Sequence, residues 1–222
     1  HLPLWRGFNL LEKFFWDGKS NSSNPPFPEE DFRWISEWGF NFVRLPMDYR
    51  TWILDENWRR FNEETFKDLD QAVELGRKYG VHVCLNFHRG PGYTVASPKE
   101  TKNLWADKEA QEVFTLHWAT FARHFKGVPN ENLSFDLLNE PSGVSNADYA
   151  KVVKLTVEAI RREDPDRLVI CDSNDYGNTP VHELVPLKVG QMTRGYSPFQ
   201  LTHYGASWVG DNKTWPVPVW PV

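Results

Sequence analysis

Short apolar runs alternate along this chain with stretches whose apolar residues recur at helical spacing. Residues 5–10 predict a first strand, followed by a Ser-, Asn- and Pro-rich loop around residues 20–28. Residues 29–38 predict a helix with Phe32, Ile35 and Trp38 on one face and Gly39 as its stop. A second strand spans residues 40–45, ended by Pro46. Asn62 caps a long helix whose Phe66, Leu69, Val73 and Gly76 share one face, and Gly80 ends it. Residues 81–87 form the third strand, apolar apart from His82 and Asn86, which suits a parallel sheet. Further helices are expected at 108–125 and 147–162, and further strands at 133–138 and 168–171. Thr179-Pro180 opens a short helix in the favoured cap-plus-proline order, and residues 199–204 read as a sixth strand.

Strands alternating with helices imply a parallel sheet with right-handed crossovers, either doubly wound or closed as a barrel. No Gly-x-Gly-x-x-Gly follows the first strand, which weighs against a dinucleotide-binding fold. Polar residues gather instead at the C-terminal ends of successive strands: Asn9, Arg44, His88, Asn139-Glu140, Asp172 with Asn174, and His203-Tyr204. A barrel keeps its chemistry there. The reading is an α/β fold of the (β/α)8 TIM-barrel type, incomplete, with about six βα units in a single partial domain over residues 1–222.

The net charge of -5 and the lack of any Lys/Arg run argue against a nucleic-acid partner. No run approaches the roughly 18 apolar residues of a membrane span. His1-Leu2-Pro3 has neither a basic start nor an apolar run, and the sequence leaves the compartment open. Cys84 and Cys171 sit in apolar strands and read as buried thiols. No His/Cys cluster has metal-ligand spacing, and no cofactor is expected. Eleven Trp in 222 residues is the unusual number. Indole faces match the C–H faces of sugar rings.

The strongest local feature is Leu137-Leu138-Asn139-Glu140-Pro141, a carboxylate held directly after an apolar strand with Asn139 beside it to orient a hydroxyl. With Arg6-Gly7-Phe8-Asn9-Leu10, Gly39-Phe40-Asn41-Phe42-Val43-Arg44-Leu45-Pro46, Leu85-Asn86-Phe87-His88-Arg89 and Thr202-His203-Tyr204, it makes the chain resemble the family 5 glycoside hydrolases, the endoglucanase and mannanase group. The resemblance runs along nearly the whole chain in order. It implies hydrolysis of β-linked glycans, glucan- or mannan-like, with retention of configuration and Glu140 as acid/base. It also implies that Arg44 keeps the nucleophile ionised and that His88 and Asn139 touch the sugar at the cleavage point. His203 would bond near the acid/base and Tyr204 near the nucleophile. Trp208, with Trp105 and Tyr93, would shape the pocket. His82 and His117 read as structural, and Asp136 as a polar layer beneath the site.

Retention needs a second carboxylate about 5–5.5 Å from the first. The resemblance places it on a seventh strand, and the chain is expected to stop before that strand. After His203 the only acidic residue is Asp211. Three sources of catalysis stay open: a carboxylate from another subunit, a longer natural form, or none. In the last case the chain is a carbohydrate-binding pseudoenzyme. The edges of an incomplete barrel are expected to be covered by a second copy, making a homo-oligomer, or by the Pro-rich tail of residues 215–222. A doubly wound nucleotide enzyme, the remaining rival, would need a glycine-rich phosphate loop that residues 88–93 do not supply.

Overall fold

Each strand carries two kinds of side chain on its alternating faces, and this sorting builds the architecture. The computed structural model describes residues 2–16, 18, 24–210 and 212–220. Residues 20–23 of the predicted loop, Asp211 and the last two residues of the tail lie outside them. In chain order the main elements are β1 (Gly7–Asn9), α1 (Glu29–Glu37), β2 (Phe42–Asp48), a hairpin of β3 (Ile53–Leu54) and β4 (Asn57–Phe61), and α2 (Glu63–Tyr79). They continue with β5 (His82–Gly90), β6 (Tyr93–Thr94), α3 (Lys108–His124), β7 (Leu133–Asp136), α4 (Asn146–Glu163), β8 (Val169–Asp172) and β9 (Gly190–Met192). The sheet order is β1-β2-β5-β7-β8-β9, all parallel, with β6 antiparallel on the end of β5.

The outward face carries Val43, Leu45, Met47, Val83, Leu85, Phe87, Leu133 and Phe135, all buried under the helices. Phe87 stacks on Trp118 of α3 with ring centroids 3.9 Å apart. The inward face carries Arg44, Cys84, Asn86, Ser134, Asp136 and Asp172, matched in register across neighbouring strands. A flat sheet would hold β2 and β8 roughly 14 Å apart. Arg44 Nη2 nevertheless lies 4.0 Å from Asp172 Oδ2. The sheet is therefore curled into a half-barrel, the incomplete (β/α)8 architecture. Cys84 and Cys171 are buried free thiols. No helix among the described residues is long and apolar enough to cross a membrane.

Local signals account for the helices. The Asn62 side chain accepts the Glu64 N–H at 3.1 Å, Asp107 that of Ala110 at 2.9 Å and Ser145 that of Asp148 at 3.1 Å. Gly80 ends α2 with φ +66°, a conformation that a Cβ disfavours.

Four expectations need correction. β2 does not stop at Pro46 but runs to Asp48. The Arg44 carbonyl faces β1, so two residues on the missing N–H of Pro46 faces the same side, where β1 has already ended. Trp38 leaves the core face and is 64% exposed, stacked on Trp34. It is the C-cap, one residue past the end of α1, and six residues past Phe32 is about 240° around a helix, well off the Phe32 direction. The short helix begins at His182, not Thr179, because Thr179 is bridged to Asn174. Residues 199–204 form no strand. Phe199–Thr202 is a single helical turn, and the sixth parallel strand is Gly190–Met192, paired to β8 as Ile170↔Gly190 and Asp172↔Met192. Three residues of mixed polarity carry little strand signal of their own, so pairing to β8 decides the assignment.

His117 shows how a polar group is kept in this core. Its Nδ1 accepts the Trp52 indole N–H at 3.1 Å, and its Nε2 faces the Trp58 carbonyl at 2.6 Å, so the neutral ring is satisfied at both nitrogens. Burial pulls its pKa down to about 4. The unfolded chain thus binds a proton that the folded one refuses between about pH 6.5 and 4, and stability falls with pH through that window. A His117→Gln variant lacks this loss. The stability advantage of the native protein over it, measured by denaturant titration, is expected to shrink by up to about 3 kcal/mol from pH 7 to pH 4.

Candidate active site

The inward residues at the C-terminal end of the sheet converge on one guanidinium. Arg44 Nε donates to Asp136 Oδ2 at 2.7 Å, Nη2 to Asn139 Oδ1 at 2.9 Å, and Nη1 reaches Asn9 Oδ1 at 3.5 Å. Asp136 and Asp172 have no exposed side-chain surface, and burial raises the pKa of both. Arginine donors on Asn139 Oδ1 fix its amide orientation, because only the oxygen can accept. Its Nδ2 makes no hydrogen bond among the described residues and is the free donor.

β7 ends at Asp136, but the chain stays tied to its neighbours. The Leu137 N–H donates to the Ile170 carbonyl at 3.1 Å and that of Asn139 to the Phe87 carbonyl at 3.0 Å. Glu140 then turns out with φ +48°, an unusual backbone for a residue before proline. Its N–H is held by Asp172 Oδ2 at 2.8 Å, and its carbonyl by the Tyr93 hydroxyl at 2.7 Å. The side chain stays partly exposed, and its Oε1 accepts from the Tyr196 hydroxyl at 3.1 Å and faces Arg194 Nε at 3.3 Å. Arg194 also donates to Asp172 and lies 3.3 Å from Asn139 Oδ1.

His88, the last inward residue of β5 before Arg89, is neutral. Burial, reinforced by Arg44, Arg194 and Arg89, lowers its pKa to about 4. Its Nδ1 is buried without a hydrogen-bond partner, like Asn86 Oδ1 and the Oδ1 atoms of Asp136 and Asp172. Together they make a polar floor beneath Glu140. Among the described residues no group of three or more His, Cys, Asp or Glu is placed to hold a metal ion.

The structure thus brings Arg44, His88, Asn139 and Glu140 together. His203 lies one ring further out, edge-on to Tyr196 at 4.9 Å, with its Nδ1 on the Thr202 hydroxyl. Tyr204 and Trp208 are exposed. The residues that sequence reasoning missed are Arg194 and Tyr196. They follow β9 at its C-terminal end, as Glu140 follows β7, and displacing the sixth strand to residues 199–204 hid them.

The Cellulase (glycosyl hydrolase family 5) model matches residues 6–202. The chain belongs to glycosyl hydrolase family 5. It is 30% identical over 190 residues to Cellodextrinase A of Ruminococcus flavefaciens, covering 82% of this chain and 55% of that protein. It is 31% identical over 185 residues to Endoglucanase C of Acetivibrio thermocellus, covering 81% of this chain and 53% of that protein. A solved structure described as a glycoside hydrolase superposes with a TM-score of 0.91 at 39% identity, covering 97% of this chain and 66% of that one. The chain spans about half the length of these curated family 5 relatives.

Within this family 5 fold the Arg44–Asp136 pair is buried on both sides, so removing one partner strands the other. An Arg44→Met variant is expected to lose about 3–5 kcal/mol in denaturant titration, whereas adding Asp136→Leu to it recovers a substantial part.

Proposed function

We propose that this chain carries the acid/base half of a β-glycan hydrolase that works with retention of configuration on β-1,4-glucan or a mannan-like chain. The observation that carries the reading is Glu140, fixed by its backbone at the strand ends, its carboxyl still partly exposed. The Asn139 amide donor lies beside it, and the neutral imidazole of His88 sits on the same inward face. Relatives named as a cellodextrinase and an endoglucanase support the glucan class.

In the first step Glu140 gives its proton to the leaving glycosidic oxygen while a nucleophile attacks the anomeric carbon. In the second, its carboxylate takes a proton from the water that releases the sugar. Asn139 Nδ2 would hold the 2-hydroxyl. His203, Tyr204 and Trp208 would line the substrate path further out, where exposed aromatic faces suit sugar rings.

The nucleophile is not among the carboxylates of this cluster. Asp136 and Asp172 are closed to solvent and paired with arginines. On this reading it comes from outside the described residues, through a second subunit or through further polypeptide. β1 and β9, each paired on one side only among the described strands, offer edges for a second copy. The same closed carboxylates favour one second reading, a carbohydrate-binding pseudoenzyme.

Hydrolysis of an aryl β-cellobioside separates the two, with the oligomeric mass recorded by sedimentation. The hydrolase reading expects turnover, in an assembly larger than a monomer if a second subunit supplies the nucleophile or only in a longer form if further polypeptide does, reduced at least about 100-fold in Glu140→Gln. Glycan binding with no chromophore released, by this chain or by a longer form that carries the further polypeptide, would establish the pseudoenzyme instead.

A further inference from the structure

We propose that Arg194 and Asp172 form a positioning pair that holds the Glu140 carboxyl and balances the charge set against it. The inference rests on Glu140 being the acid/base and extends its control to the ends of β8 and β9.

Geometry carries it. Asp172 uses one oxygen, Oδ2, for both the Glu140 N–H and the Arg194 guanidinium. Arg194 spans Asp172, Asn139 and Glu140 Oε1. The pair therefore grips Glu140 at its backbone and at its carboxyl, and steadies a left-handed φ of +48° that would otherwise cost energy.

Arg194 is itself seated deliberately. The turn after β8 has three successive positive φ values, at Asp175, Tyr176 and Gly177. The Tyr176 N–H donates to the Pro141 carbonyl at 3.1 Å, next to Glu140, and the Arg194 N–H donates to the Gly177 carbonyl at 2.9 Å. A Cβ on Gly177 would lie 2.5 Å from Arg194 Cγ, so glycine is what lets the arginine side chain approach. Strain concentrated in a turn that touches both Glu140's successor and Arg194 fits a device for holding the acid.

The charges explain why two residues are needed. A guanidinium 3.3 Å from a carboxylate favours its ionised form, which suits a base and handicaps an acid. Asp172, against the same guanidinium, offsets that bias. The Tyr196 hydroxyl, donating to Glu140 Oε1, fixes the carboxyl plane without adding charge.

Titration of the Glu140 side-chain carbon by NMR tests the pair without requiring turnover. The resonance is assigned by its loss in Glu140→Gln, and circular dichroism checks the fold of each variant. Arg194→Met is expected to raise the Glu140 midpoint by about one pH unit. Asp172→Asn, which keeps an acceptor for the Glu140 N–H, is expected to lower it by a similar amount. Gly177→Ala reaches the arginine from its other side and should shift the midpoint as Arg194→Met does, so the test survives if one variant does not fold. Midpoints unchanged in the folded variants would overturn the proposal. Shifts found where neither this chain nor a longer form hydrolyses glycan would uphold the pair and remove the hydrolase reading alone.

Discussion

The Arg44 guanidinium, buried inside the curl of the sheet, is the interaction on which the site depends. It joins β2 to Asp136 on β7 and to the Asn139 amide beyond it, bridging strands that are not neighbours. A buried ion pair adds little net stability over apolar packing. Its value here is directional. It places the Asn139 carbonyl oxygen, frees the amide N–H for a ligand, and brings the β7 end to a fixed distance from the β8 end. Glu140 inherits its position from that arrangement.

Around this anchor the site is layered by charge. Asp136 and Asp172 lie at the bottom, their pKa values raised by burial, with Arg44 and Arg194 as counter-ions. Glu140 sits above, the partly exposed carboxyl of the group. The apolar outward face, locked by Phe87 on Trp118, holds the strands steady enough for these contacts. Backbone strain gathers at Glu140 and in the turn from Asp175 to Gly177, beside the candidate site, where packing on several sides can hold it.

Much of this was legible in the sequence, for identifiable physical reasons. Long helices with caps announced themselves, and Asn62 and Gly80 act as their residue types predict. β5 and β7 were visible as apolar runs, and Glu140 stood out because it follows one directly. Arg44 was legible by the same logic. β9 was not. Gly190–Met192 has neither alternation nor a run, and its pairing with β8 is a tertiary fact. The more apolar segment from Phe199 drew the assignment nine residues downstream. That one displacement moved attention to His203 and Tyr204 and away from Arg194 and Tyr196. The extension of β2 through Pro46 failed to show for a related reason: whether a proline's missing N–H matters depends on where the neighbouring strand ends.

A crystal structure of the Glu140→Gln variant soaked with a cello-oligosaccharide would weigh the whole arrangement at once. A sugar bound with its glycosidic oxygen at residue 140, a hydroxyl on Asn139 Nδ2 and the Arg44–Asp136 contact intact is the expected result. A sugar bound elsewhere, or a site in which Arg44 has released Asp136 and Asn139 to admit it, would contradict the proposed preorganised acid/base centred on Glu140.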